Sequence, residues 1–211
     1  MFTGLVTDVG RIAKVVDANG MRRLTVRSQY RVEDLQMGAS VMHSGVCLTL
    51  VDYGPDDEGS WWDVEAIPET LSRTTLGDLI EGSHVNLELS LKLGAELGGH
   101  LVYGHVDALG RVGVIAKDGE SWVMRIRHPA HLSKFFAEKG SVTIDGVSLT
   151  VSNVHAVGDE AWFEVSLIPH TLSVTTLGKL QVGASVNLEV DMLARYVARI
   201  LELRQDTSEK P

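Results

Sequence analysis

The sequence predicts an all-β chain made of two copies of one short-stranded unit, followed by a single C-terminal helix. Three observations predict it: an internal repeat at a fixed offset, period-two apolar alternation punctuated by turn residues, and one helical stripe near the C-terminus.

The repeat is direct. Ile67-Pro68-Glu69-Thr70-Leu71-Ser72 matches Ile168-Pro169-His170-Thr171-Leu172-Ser173, an offset of 168 − 67 = 101. The same offset aligns Thr74-Thr75-Leu76-Gly77 with Thr175-Thr176-Leu177-Gly178, and Val85-Asn86-Leu87-Glu88 with Val186-Asn187-Leu188-Glu189. Over 67–90 against 168–191, 15 of 24 positions are identical, which chance does not produce. Upstream, Gly45-Val46-Cys47-Leu48-Thr49 meets Gly146-Val147-Ser148-Leu149-Thr150. Nearer the start one residue is gained or lost, so that Gly4 and Val6 fall on Gly104 and Val106. Such a period marks a duplicated structural unit.

Within each copy the texture is β. Leu24 and Val26, then Val41, Val46, Leu48 and Leu50, belong to short β-type runs. Val85, Leu87 and Leu89 alternate with Asn86 and Glu88, the signature of a half-buried strand. Asp17-Ala18-Asn19-Gly20 and Asp56-Asp57-Glu58-Gly59 read as turns between strands. Many short strands suggest a closed barrel or a sandwich, which leaves few exposed edges. The Thr70–Leu76 and Thr171–Leu177 segments, each ending before Gly, predict one helical turn apiece.

The longer helix is predicted over 192–204. Leu193, Tyr196, Val197, Ile200 and Leu201 recur at i, i+3, i+4, i+7 and i+8, an apolar stripe that needs a partner, either its own barrel or another subunit. The units are then 1–100 and 101–191, with 205–211 expected to be a flexible polar tail.

Composition bounds the function. A hydrophobic share of 44% and a charged share of 22% describe an ordinary globular chain. No apolar run reaches the ~18 residues of a membrane span, and the N-terminus lacks the cationic region of a signal peptide. A net charge of −9 disfavours a nucleic-acid surface. A single cysteine, Cys47, precludes an intrachain disulfide and suits the reducing cytoplasm.

The differences between the copies point to chemistry. Leu5 faces His105, Cys47 faces Ser148, Gly38 faces Lys139, Glu69 faces His170 and Ser90 faces Asp191, so the titratable members gather in the second copy. Singly, each has a plainer role. A lone Cys is more often a small buried hydrophobe than a nucleophile, and a strand Ser often satisfies a backbone group. Lys139, before a Gly, reads as a solvated turn residue. His100 and His105 lack metal-ligand spacing, and Gly98-Gly99-His100 resembles a phosphate loop only loosely.

Taken together the motifs are specific. Met1-Phe2-Thr3-Gly4-Leu5-Val6, Gly45 to Thr49, Gly98-Gly99-His100-Leu101-Val102-Tyr103-Gly104-His105-Val106, Asp145 to Thr150 and both Ile-Pro-x-Thr-Leu-Ser segments closely resemble the riboflavin synthase family over nearly the whole chain. The resemblance implies two six-stranded Greek-key barrels and a homotrimer gathered around the C-terminal helices. It implies four-carbon transfer between two molecules of 6,7-dimethyl-8-ribityllumazine, giving riboflavin and 5-amino-6-(D-ribitylamino)uracil. The working site would lie between the N-terminal barrel of one subunit and the C-terminal barrel of its neighbour. A lumazine synthase shell is a further partner that the resemblance raises.

The resemblance also assigns residues. It places ligand contacts in the first copy at Gly4, Leu5, Val6, Cys47, Leu48, Thr49, Glu65, Ala66, Ile67, Pro68, Glu69 and Thr70. In the second copy it places them at Gly104, His105, Val106, Lys139, Ser148, Leu149, Thr150, Ser166, Leu167, Ile168, Pro169, His170 and Thr171. His105 is expected to move protons, its ordinary pKa lying near neutrality. Ser148 and Cys47 would orient or activate water, or add to the ring. Asp191 would orient such a group, and Phe2 would close over the bound ring. His170 departs from the Glu of many members. No metal or redox cofactor is expected, because the electron-poor lumazine is its own electron sink. Two rival readings stand beside this one. Lumazine proteins share the architecture and bind a chromophore without turnover, but they tend to lose polar residues such as Lys139, His105, Ser148 and Asp191. A plain Greek-key adaptor would have no reason to keep twin motifs.

Overall fold

The computed structural model describes residues 1–208 except Asn19 and Asp159, with side chains to Arg204. It contains two closed antiparallel barrels. The first comprises β1 (Asp8–Ala18), β2 (Met21–Ser28), β3 (Ser40–His43), β4 (Val46–Asp56), β5 (Gly59–Ala66), then α1 (Pro68–Arg73) and β6 (His84–Leu89). The second repeats it with β7 (Ala108–Asp118), β8 (Ser121–Arg127), β9 (Ser141–Ile144), β10 (Val147–Val157), β11 (Glu160–Leu167), α2 (Pro169–Val174) and β12 (Ser185–Val190). Strand order around the first barrel is β1-β2-β5-β4-β3-β6, and the second follows the same cyclic order. Closure removes sheet edges, as the many short strands lead one to expect. Even the bulges are copied: register shifts between Ile12 and Lys14 in β1 and between Val112 and Val114 in β7.

Alternation fills each barrel. Ile12, Leu24, Val26, Trp62, Val64 and Leu87 point into the first, and Val112, Met124, Ile126, Phe163, Val165 and Leu188 into the second. Each such side chain contributes roughly 1.5–3 kcal/mol of burial. Trp62 has the one polar atom in its core position satisfied: its Nε1 donates to His43 Nε2 at 2.9 Å. Burial holds His43 down to about 4, so the ring stays neutral and can accept.

Two predicted features differ. The Thr70–Leu76 segment is not one helical turn but two pieces, α1 and a 3-10 turn at Thr75–Asp78, parted at Thr74, whose Oγ1 accepts from Leu76 N; the second copy repeats this. Strand β6 is not half-buried, since Val85, Asn86, Leu87 and Glu88 are all buried. Its second face meets the other barrel rather than water.

That seam is a pseudo-twofold contact. The β3–β4 and β9–β10 hairpins turn through Ser44-Gly45 and Asp145-Gly146, all with positive φ, as two-residue hairpin turns require. Asn86 Nδ2 donates to Asp145 O at 2.8 Å, and Asn187 Nδ2 donates to Ser44 O at 2.7 Å. Their carbonyl oxygens accept from Thr176 N and Thr75 N of the opposite barrel. Phe2 and Val102 exchange backbone hydrogen bonds beside this point.

The C-terminal helix, α3 (Met192–Ser208), runs past its predicted end at 204, so residues 205–208 are helix rather than tail; Glu209, Lys210 and Pro211 lie outside the described residues. It is tied down by Arg195 to Asp107 and Lys134 to Glu202. Its stripe is not covered by its own barrel: Leu193, Tyr196, Val197, Ile200 and Leu201 are 52–65% exposed. Among the described residues no helix is long and apolar enough to cross a membrane.

Candidate active site

The duplicated motifs assemble crosswise. Buried Glu189 on β12 accepts from three successive amides, Tyr103 N at 2.7 Å, Gly104 N at 2.9 Å and His105 N at 3.0 Å. The Gly104 carbonyl in turn accepts from Cys47 N at 2.9 Å, and Val106 packs on the first barrel's core. The mirror arrangement starts from Glu88 on β6, which accepts from Thr3 N, Thr3 Oγ1 and Gly4 N. The Gly4 carbonyl accepts from Ser148 N at 2.8 Å, and Val6 packs on the second barrel. Gly is required at both points. Gly4 and Gly104 have φ of 76° and 74°, and an added Cβ would stand 2.5 Å from Ser148 Cβ or 2.6 Å from Cys47 Cβ.

This corrects the grouping by copy. Gly4, Leu5 and Val6 join Ser148, Leu149 and Thr150, while Gly104, His105 and Val106 join Cys47, Leu48 and Thr49. Ser148 and His105, both of the second copy, are therefore held at different docking points.

The histidine that meets Ser148 is His100. Its Nδ1 lies 2.7 Å from Ser148 Oγ, and its Nε2 lies 3.3 Å from Thr143 Oγ1. Burial lowers its pKa and the Asp191 charge opposes the fall. A neutral ring with Nε2–H donating to Thr143 leaves Nδ1 free to accept from the Ser148 hydroxyl, the geometry of a general base on its nucleophile or relay. Gly98-Gly99 makes this approach feasible. A Cβ at Gly99 would fall 2.1 Å from Thr3 O and 2.9 Å from Ser148 Oγ. The Gly98-Gly99-His100 run, which in sequence resembles a phosphate loop only loosely, instead lets the histidine come close to Ser148.

The other assigned residues sort by strand face. Leu48, Ala66 and Leu167 point into the barrel cores, since alternation turns every second residue inward, so only their backbones can face a ligand. Thr49, Glu65, Thr150 and Ser166 are on the open faces. Leu5, Ile67 and Ile168 are 48%, 52% and 56% exposed, apolar side chains left uncovered beside these polar groups. Pro68 and Pro169 open α1 and α2, Thr70 and Thr171 lie half-buried within them, and Glu69 pairs with Arg73 where exposed His170 has Val174. Phe2 does not stand over a pocket. Its ring has no exposed surface, packing with Met42 and Val102 against Cys47 in the seam. Asp191 Oδ1 accepts from Leu193 N at 2.9 Å and so caps α3 while its charge reaches His100. His105 is exposed, its ring 5.9 Å from Tyr103, beside a cleft of about 460 Å³ between the Tyr103–Asp107 segment and the start of α3. Lys139 is exposed with φ 64° where the first copy has Gly38, φ 77°. Among the described residues no cluster of His, Cys, Asp and Glu could hold a metal.

Comparison with known proteins agrees with this architecture. A lumazine binding domain model matches residues 3–90 and again 103–191. Riboflavin synthase of Mycobacterium tuberculosis is 47% identical over 205 residues, 95% of this chain and 98% of that protein. Riboflavin synthase of Brucella abortus is 44% identical over 208 residues, 97% of this chain and 100% of that protein. Among solved structures, LumP complexed with 6,7-dimethyl-8-(1'-D-ribityl) lumazine aligns with a TM-score of 0.73 at 22% identity, covering 90% of this chain and 99% of that one. That likeness bears on the fold. With both repeats matched and nearly the whole length shared, the chain belongs to the riboflavin synthase family, as a tandem of two lumazine-binding domains.

Proposed function

We propose that the chain is a cytoplasmic transferase that dismutates two molecules of 6,7-dimethyl-8-ribityllumazine, moving four carbons from one to the other to give riboflavin and 5-amino-6-(D-ribitylamino)uracil. The observation that carries the reading is the pair of similar but unequal docking points, Gly104 on Cys47 next to His105 and Gly4 on Ser148, which His100 reaches, and we take each as the wall of a substrate pocket. A reaction between two identical molecules, one giving and one receiving, calls for that inequality.

The chemistry needs no metal or redox cofactor, since the lumazine ring stabilises the anion left when its 7-methyl group loses a proton. The protein's task is to hold two rings face to face, which can lower a barrier by ~7–11 kcal/mol, and to move protons. In the second pocket neutral His100 takes or returns a proton through Ser148 Oγ. In the first, exposed His105 does so, next in the chain to the Gly104 that docks on Cys47 N. Leu5, Ile67 and Ile168 offer apolar contact to the rings, while Thr49, Thr150 and the strand amides read their polar edges. Lys139 reaches toward the anionic or hydroxylated parts of the ligand.

The two pockets become one centre when the first barrel of one subunit faces the second barrel of its neighbour in a homotrimer, with the uncovered α3 stripe as the contact. The rival reading is a lumazine protein that binds without turnover. The 2.7 Å contact between His100 and Ser148 favours the enzyme, because a binding module gains nothing from a base poised on a hydroxyl. Incubation of the purified protein with 6,7-dimethyl-8-ribityllumazine alone, following riboflavin absorbance, decides. Riboflavin formation is the expected result. Tight binding without it supports the rival, and no binding removes both.

A further inference from the structure

Two buried carboxylates take no part in the chemistry proposed above, yet each lies under a segment that does. Glu189 belongs to the second barrel and binds the amides of Tyr103, Gly104 and His105, but the carbonyl thereby aimed, that of Gly104, docks on Cys47 of the first barrel. Glu88 belongs to the first barrel and binds Thr3 and Gly4, whose carbonyl docks on Ser148 of the second. We infer that Glu88 and Glu189 are positioning residues acting crosswise, each barrel's buried glutamate fixing the pocket wall of the other barrel.

The geometry accounts for why glutamate stands there. Glu189 accepts with both oxygens, Oε1 from Tyr103 and Oε2 from Gly104 and His105, so three donors converge on one carboxylate. A neutral amide has only one accepting atom and would set its own N–H groups against these donors. Charge-assisted bonds to a carboxylate are also the stronger kind. Burying such a charge is unfavourable unless it is fully hydrogen-bonded, so the position is hard to explain by packing alone: the apolar neighbours Leu188 and Val190 fill the strand on either side of it. Among the described residues the Gly104 and Gly4 carbonyls accept from Cys47 N and Ser148 N alone, so freeing the segment frees that contact first.

The role in catalysis rests on reading the two pockets as substrate sites, whereas the crossed wiring does not, and one set of variants tests both separately. In the full-length protein without ligand, at about pH 8, where Glu189, raised to about 7 by burial, is ionised, amide hydrogen exchange is read at Cys47 and Ser148 in Glu189→Gln and Glu88→Gln. Glu189→Gln should speed exchange at Cys47 roughly tenfold, the loss of a charge-assisted bond, and leave Ser148 near its original rate. Glu88→Gln should do the reverse. A merely structural role would speed both amides together in both variants, and that result, or no change at either, overturns the inference. If a Gln variant does not accumulate folded, the Asp variant, which keeps the charge but withdraws it by one methylene, is compared in the same way. With 6,7-dimethyl-8-ribityllumazine, each variant should lower kcat more than it raises KM. Unchanged turnover with the crossed exchange pattern intact would overturn the catalytic role alone.

Discussion

His100 Nδ1 and Ser148 Oγ stand 2.7 Å apart, brought together by a Gly-Gly run from the link between the barrels and a strand from the second. A general base of this kind typically contributes about 10²–10⁴-fold. His100→Ala should therefore reduce kcat by roughly a hundredfold or more, with riboflavin affinity changed little. Because burial holds the imidazole below its ordinary 6.5, the base stays competent in mild acid and the acid limb of kcat should lie under that value. Asp191→Asn removes the charge that opposes the fall and should move the limb lower still. A limb that stays in place in Asp191→Asn would detach Asp191 from His100.

Lys139 occupies a left-handed backbone position, φ 64°, at which the first copy has Gly38. A side chain there carries strain that glycine does not. Lys139→Gly should stabilise the fold by about 0.5–1 kcal/mol while weakening ligand binding. The check is a denaturant midpoint beside a titration with riboflavin. Stabilisation without loss of affinity would leave the lysine with no binding role.

Much of this was legible in the sequence, and the limits have physical causes. The offset of 101 and the alternation in β6 announced two equal β units, and the period of Leu193, Tyr196, Val197, Ile200 and Leu201 announced α3. The pairing of pockets was not legible. Repeat alignment groups Gly4 with Cys47, but the seam docks Gly4 on Ser148, a contact about 144 residues away that no local pattern encodes. Asn86 and Glu88 looked like solvent-facing members of a strand because polarity is the usual mark of exposure. They are the latch and the clamp between barrels, and only their repetition as Asn187 and Glu189 hinted at more.

Asp145 makes the seam sensitive to pH. Its carboxyl is fully buried and pushed up to about 7, with a single amide, Asn187 N, pulling the other way. The folded pKa lies above the unfolded value near 3.8, so the group's stabilisation is complete below pH ~4 and is lost as pH rises through about 7. Asp145→Asn keeps an acceptor for Asn187 N but cannot ionise, matching the neutral Ser44 of the first copy. It should gain thermal stability over the parent at pH 8 and not at pH 4. Glu189, raised to about 7 by burial against its amide donors, contributes in the same direction, so some pH dependence should persist in the variant. Equal melting differences at both pH values would contradict the assignment.

The split between the pockets gives a test of where the working centre lies. His105 stands with Cys47 on the first barrel and His100 with Ser148 on the second. If one centre needs the first barrel of one subunit and the second barrel of its neighbour, His105→Ala and His100→Ala homo-oligomers are each poorly active. A hybrid, however, contains interfaces at which an intact first barrel from one parent faces an intact second barrel from the other. Random reassembly after co-refolding equal amounts should place both intact halves together at about a quarter of the interfaces, so activity should recover toward that share of the parent. A centre built inside one chain admits no such rescue, because every chain carries one defect. Replacing Val197 and Leu201 by Glu supplies the control. Both belong to the uncovered stripe of α3, 56% and 52% exposed, so the barrels should stay folded while assembly, and with it any rescue, disappears. Rescue that survives loss of assembly, measured by sedimentation velocity, would mean that the two pockets meet without the helices.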